Sequence, residues 1–321
     1  MDWMKYRKIY FSISGVLLAV SLITLITWGL NLGLDFTGGT ILEYRFSEKI
    51  STEELSKELD DIEGVSVGSV QITSDGTYYV RLGSVSADIK VNIDEALLEY
   101  LGGEDAEGEA GELIEELRFE TVGPSVGPEL VKKTLYAITI AAIAILLWVA
   151  FQFKSIKFGV SAILAMLHDS FILLGALSIL GHFFDAEVDF LFVTALLTTL
   201  SFSVHDTIVV FDRIRENQSN KGGKLYDLAN QAITETMVRS LNNSFTIIFM
   251  LFALVLLGGT TIKWFAVALL IGTILGTYSS PFVGVPLLVT FDDLGKKLKM
   301  KRESTKVKKP KLSLAALRKQ K

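Results

Sequence analysis

The chain has 321 residues, half of them hydrophobic, with a mean hydropathy of +0.43 and a net charge of −5. That composition belongs to a membrane protein. The absence of cysteine excludes disulfides and thiolate chemistry, and three histidines (His168, His182 and His205) are too few for a multi-histidine metal site. The net charge also hides an asymmetry: residues 31–128 carry 22 Asp/Glu against 6 Lys/Arg, whereas the remainder carries 14 against 25.

Ile9 to Leu30 is an uncharged apolar run of 22 residues, enough to cross a hydrocarbon core of about 30 Å. Lys5, Arg7 and Lys8 precede it, which keeps the N-terminus in the cytoplasm. The run is too long for a signal-peptide core and no Ala-x-Ala site follows, so residues 9–30 read as the first span. Residues 31–128 then form one external domain. Gly39 to Phe46 alternates as a strand, and Ser51-Thr52-Glu53-Glu54 has the form of a capping box opening a helix with Leu55 and Leu59 on one face. Val65–Thr73 and Thr77–Leu82 flank Ser74-Asp75-Gly76 as a hairpin. A second helix covers Ile89–Leu101, residues 102–111 form an acidic Gly-rich loop, Leu113–Leu117 resumes the helix, and Arg118–Val122 is a last strand. The order β-α-β-β-α-β predicts a small ferredoxin-like α+β domain. Its acidic surface reads first as a solvated face, and second as a contact for a basic or unfolded client.

Five further spans are expected at 134–153, 158–180, 190–211, 241–257 and 264–290. Between them lie a short basic connector at 154–157, an acidic link at 181–189, a polar cytoplasmic loop at 212–240 and a tight outside turn at 258–263. The tail, residues 291–321, is strongly basic and ends inside. It fits anionic lipid better than nucleic acid. Loop charges agree with the alternation, giving an α-helical protein of six transmembrane helices with both termini in the cytoplasm.

The polar residues inside these spans are the candidate functional groups. In the fourth span, about 100° of rotation per residue places Thr194, Thr198, Ser201 and His205 on one stripe and Thr199, Ser203 and Asp206 on a second. Ionisable groups at such depth face a bundle interior or a wet cavity and mark proton routes, although a hydrogen-bonded cluster that only joins helices fits the same pattern. His168-Asp169 in the third span is a second such pair, with at most one member on a given face. Arg239 opens the fifth span, near the end of the fourth that carries Asp206, and a hairpin of the two would pair them; the rival reading is an arginine reaching for headgroups. Asp212, Arg213, Arg215 and Glu216 form a charged extension at the membrane edge with intracellular pairing expected. Gly272, Gly276, Ser280 and Gly284 recur every four residues as a seam for close helix packing, with Pro281 and Pro286 as kinks. Asp35-Phe36-Thr37-Gly38-Gly39 and Gly123-Pro124-Ser125-Val126-Gly127-Pro128 read as the two joints of the external domain.

Four stretches together resemble the SecF family of protein-export membrane proteins: Asp35 to Gly39, Gly123 to Gly127, Leu167-His168-Asp169, and the run from Asp206 to Asn217. The resemblance extends over residues 5–292, and its last motif, which takes in Asp212, Arg213, Arg215, Glu216 and Asn217, is the most specific. It implies a non-enzymatic auxiliary subunit of the Sec translocon in the cell (inner) membrane, related to resistance-nodulation-division exporters. It further implies a SecD-like partner, contact with SecYEG and with exported unfolded polypeptide, no cofactor beyond H⁺ as coupling ion, with Na⁺ as the alternative, and a proton relay at Asp206 and Arg239. One departure is His205, where the family pattern leads us to expect Asn. Six spans with few buried charges also read as half of a twofold transporter completed by a partner. Two other function classes fit the same helices: half of a proton-coupled small-molecule exporter, which would show a second large external loop, and a passive scaffold subunit.

Overall fold

A computed structural model of the protein describes residues 1–73, 76–102, 113–123, 125–153 and 155–307. The described residues form two compact units. The helical unit takes in Met1–Gly29, Ala141–Phe184 and the described residues from Thr194 on; the sheet unit takes in those of Leu30–Ile140 together with Asp185–Val193.

The sheet unit begins with a single helical turn, α2 (Leu34–Thr37), after α1 (Arg7–Thr27), and continues into β1 (Gly39–Phe46). Then come α3 (Thr52–Asp60), β2 (Val67–Ile72), β3 (Tyr78–Leu82), α4 (Ala87–Gly102) and β4 (Ile114–Val122). The sheet order is β2-β3-β1-β4 with every neighbour antiparallel, the arrangement that a split β-α-β pair produces. Leu42, Tyr44, Val80 and Leu82 on one sheet face meet Leu55, Leu59, Ile93 and Leu97 from the helices, all of them buried. Each such side chain contributes about 1.5–3 kcal/mol. Ser51 is the N-cap of α3, with its Oγ accepting from the Glu53 amide, one residue before the capping-box position.

Two expectations fail in this unit or at its edge. Leu113–Leu117, expected as helix, lies in β4 from Ile114 onward. Ile114 pairs with Phe46 and Glu115 with Arg45, so the free side of β1 recruits the segment despite its helical composition. The first span ends its helix at Thr27, three residues short of the expected end, and the chain turns at Gly29. Ser74, Asp75 and most of the acidic loop lie outside the described residues, as do Pro124, Lys154 and residues 308–321.

The remaining elements are long helices: α5 (Val126–Phe153), α6 (Ile156–Phe184), α7 (Phe190–Lys221), α8 (Leu225–Leu257), α9 (Thr260–Ser279) and α10 (Val285–Val307). Among the described residues six helical segments are long and apolar enough to cross a membrane, and the protein is a multi-pass membrane protein. The expected loop at 212–240 is helical on both sides of a turn at Gly222-Gly223-Lys224, where the glycines take φ +62° and +112°. Its helices persist because Ile214, Leu228, Ala229, Ala232 and Ile233 bury an apolar stripe, and charged neighbours pair along the surface. At the sixth span, where kinks are expected at Pro281 and Pro286, Ser280–Gly284 forms a π-helical turn between α9 and α10. Widening the helix there accommodates the proton-less nitrogen of Pro281.

Candidate functional site

Helix α7 separates its two polar stripes. Thr199, Ser203 and Asp206 are buried inside the helical unit, with Thr207 beside them, whereas Thr198, Ser201 and His205 are exposed on the chain. The buried stripe meets three other helices. From α6, Asp169 is 1% exposed and holds three partners. His168 Nδ1 lies 2.9 Å from its Oδ1, and Ser203 Oγ of α7 and Ser279 Oγ of α9 both donate to its Oδ2, at 2.6 and 2.5 Å. His168 and Asp169 therefore share one cluster, although they are sequence neighbours about 100° apart on a helix. Beside that cluster, His168 Nε2 and Thr199 Oγ1 are buried without a partner.

Asp206 is housed differently. Its Oδ2 accepts one hydrogen bond, from Ser240 Oγ of α8 at 2.6 Å. Thr207 and Ser280 share a hydroxyl bond of 2.9 Å, and Thr277 Oγ1 donates to Ser244 Oγ at 2.7 Å. Among the described residues neither Asp169 nor Asp206 has a Lys or Arg ion-pair partner.

The expected Asp206–Arg239 pair is corrected by this arrangement. The hairpin of α7 and α8 brings Ser240, not Arg239, to the carboxylate, because one residue of helix turns the side chain by about 100°. Arg239 is exposed and lines an open cavity of about 1150 Å³ with Asp212, Arg213, Arg215, Glu216 and Glu235. The charged extension is paired in that cavity wall. Arg213 binds Glu216 at 2.7 Å and Glu235 of α8 at 2.5 Å, Arg215 binds Asp212 at 3.2 Å and the Gln152 carbonyl at 3.1 Å, and Asn217 donates to Glu235.

The small-residue seam packs onto α7. A Cβ on Gly272 would collide with Thr199, one on Gly276 would stand 3.2 Å from the Cα of Ser203, and Gly284 lies against Thr207. With the Thr207–Ser280 bond, four seam positions follow α7 at steps of one helical turn. In the sheet unit, Gly38 and Gly39 take φ +71° and +116°, and a Cβ on Gly39 would meet the Leu82 carbonyl at 2.6 Å. Asp35 Oδ2 accepts the Phe190 amide at 2.9 Å. The Gly123 carbonyl accepts the Val126 amide, Gly127 lies against the Phe36 carbonyl, and Pro124 lies outside the described residues.

Sequence reading missed Ser240, Ser279 and Glu187. Ser240 and Ser244 stand four apart in an apolar helix, the same signal that marked α7, and would have flagged the first. Ser279 sits beside the seam residue Ser280. Glu187, which pairs with Arg81 and accepts from the Tyr79 hydroxyl, carries no local signal because its partners are about a hundred residues away. Among the described residues no three His, Cys, Asp or Glu side chains converge on a metal position.

Comparison with known proteins gives consistent matches. The C-terminal region of the protein export membrane protein SecD/SecF family matches residues 104–293, and the SecD/SecF GG motif matches residues 24–50. A protein translocase subunit SecF from Thermobaculum terrenum is 40% identical over 304 residues, covering 91% of this chain and 94% of its own. One from Vibrio alginolyticus is 39% identical over 295 residues, with 89% and 88% covered. The crystal structure of SecDF, a translocon-associated membrane protein from Thermus thermophilus, is similar with a TM-score of 0.75 and 31% identity over 91% of this chain. This chain spans 39% of that longer one. The relatives bear the name of a translocase subunit and not of an enzyme.

Proposed function

Because the chain belongs to the SecF family of protein-export membrane proteins, we propose that it uses the proton gradient, together with a SecD-like subunit, to promote movement of exported polypeptide at the SecYEG translocon. The observation that carries this reading is Asp206, a buried carboxylate held by one serine hydroxyl and, among the described residues, by no Lys or Arg ion pair. A hydroxyl donates to an ionised carboxylate and accepts from a protonated one, so Ser240 fits both states of Asp206. Arg239, one residue from Ser240 on the cavity wall, is the second member of the relay in this reading. His168, Asp169 and His205 lie on the elements around it, the first two as a sealed cluster and His205 on the exposed stripe. Thr198, Ser201 and His205 are polar groups left uncovered on a span, and a partner subunit that covers them supplies what the chain alone lacks. Residues 31–128 stand outside in this reading, with both termini in the cytoplasm of a cell whose inner membrane holds the complex. The coupling ion is H⁺, with Na⁺ as the alternative.

The test is export driven by an imposed gradient in proteoliposomes containing translocon, SecD-like partner and this chain. Asp206→Asn removes the titrating group while keeping an acceptor for Ser240, and gradient-dependent export falls at least about tenfold, the equivalent of 1.4 kcal/mol. Unchanged export with Asp206→Asn supports a passive scaffold instead. Repeating the assay with a pH gradient alone and with a Na⁺ gradient alone assigns the ion.

A further inference from the structure

The loop between α6 and α7 forms a short strap across the start of the sheet unit. The Gly33 amide donates to the Val188 carbonyl at 2.9 Å and the Val188 amide to the Asn31 carbonyl at 2.7 Å, so that Leu32 and Val188 form a parallel bridge. Beside it the Glu187 carboxylate pairs with Arg81 and accepts from the Tyr79 hydroxyl, both on β3. Two residues further on, Asp35 Oδ2 accepts the Phe190 amide and Asp189 Oδ1 accepts the Phe192 amide at 2.7 Å, so the first turn of α7 is capped by two carboxylates, one of them from the DFTGG joint. The same joint lies against Gly127, where a Cβ would stand 2.9 Å from the Phe36 carbonyl, at the first turn of α5. Asp35 therefore occupies a short segment that touches the start of α7, the start of α5 and the entry to β1.

We propose that Asp35 is the positioning residue that couples α7 to the sheet unit: by capping Phe190 it fixes the start of the helix that carries Asp206 to the strand system, so that displacement of α7 is delivered to the sheet unit. This rests on the reading of Asp206 given above. Helix α7 is unbroken from Phe190 to Lys221, and Asp206 lies 16 residues beyond the cap, about 24 Å at 1.5 Å per residue. A helix of that length carries axial displacement along its hydrogen-bonded backbone, provided that its end is held. Three kinds of contact hold it: a side-chain cap, a backbone bridge and an ion pair. Of these only the cap acts directly on α7, and substituting Asp35 removes the part of it that comes from the DFTGG joint while leaving Asp206 and Ser240 intact.

The experiment uses the full complex in proteoliposomes and follows proton flux, with an enclosed pH-sensitive dye, and gradient-driven export in parallel. Asp35→Ala retains proton flux and co-purification of the partner while export per proton falls about fivefold, the loosening expected on losing an Asp cap. Asp35→Asn, whose Oδ1 still accepts the Phe190 amide, exports as the unaltered chain does. The chain has no cysteine, so L32C/V188C places a single disulfide across the strap, and oxidising it in the Asp35→Ala background restores export. Unaltered export with Asp35→Ala overturns the coupling role. So does a loss of flux and export in equal measure, which marks a structural role. Absence of gradient-driven export from the unaltered chain, or its persistence with Asp206→Asn, overturns the reading of Asp206 and this inference with it, whatever Asp35→Ala does.

Discussion

The two fully buried acids of the helical unit and the ion-paired acids of the sheet unit are housed differently. In the helical unit, Asp169 and Asp206 are met by serine hydroxyls and an imidazole. In the sheet unit, Glu187 is met by Arg81, and Asp94 and Glu116 are met by Lys90. A cation opposes protonation of a neighbouring acid, whereas a hydroxyl can donate to the ionised form and accept from the protonated one. Asp169 and Asp206 are thus met by hydroxyls that can accept as well as donate, and the ion pairs of the sheet unit tie its strands to their neighbours. Within the helical unit there is a further gradation, since Asp169 has three partners and Asp206 has one.

Removing the best-partnered acid has the largest effect on stability. Asp169→Ala strands the Ser203 hydroxyl in the interior and leaves Ser279 only its longer bond to the Gly276 carbonyl, and at about 1–3 kcal/mol for an unsatisfied group the thermal midpoint in detergent falls below that of the other variants. A change smaller than that of Ser240→Ala would break the distinction between the two acids. Next comes Arg81→Ala, which leaves Glu187, a quarter exposed, without its cation and costs about 1–2 kcal/mol. Hydrogen exchange at the β3 amides reads that loss. Ser240→Ala costs about 1 kcal/mol yet lowers gradient-driven export several-fold, while Ser203→Ala at the Asp169 cluster changes export little. Equal effects of these two on export would remove the functional contrast.

The smallest effect is the response of the sheet unit to pH. Burial pushes the carboxyls of Glu187 and Asp189 above the ordinary carboxylate range, with Arg81 drawing Glu187 part of the way back. Their protonated forms are therefore favoured in the folded state. The contribution is whole below the ordinary pKa of about 4 and declines as pH rises through the higher folded values. Exchange rates in residues 185–193 increase over that interval, and Glu187→Gln flattens the slope. A slope of the opposite sign would place Arg81 in control of Glu187.

Much of this architecture was legible because the bilayer and the pleat impose simple periods. The six apolar runs, the alternation of β1 and the glycines of the DFTGG joint each follow from local rules. What escaped depends on distant partners. Residues 113–117 have helical composition, and only the open side of β1 makes them strand. Asp206 was legible as a buried acid, but whether Ser240 or Arg239 meets it depends on one step of helix rotation that the residue pattern does not set. Asp35 was read as part of a joint, since its partner amide is 155 positions along the chain. Lys90 illustrates the same limit: it is 10% exposed at the side chain and bridges Asp94 and Glu116, yet in sequence it is one more surface lysine.

The glycine seam of α9 and the π turn restricts how α7 moves. A Cβ on Gly272 would overlap the side chain of Thr199, and one on Gly276 would crowd Phe202 and Ser203, so rolling α7 about its own axis would drive the β-branched Thr199 into α9. The seam therefore opposes a crank-like roll of the rod and keeps the face that carries Ser203 turned inward.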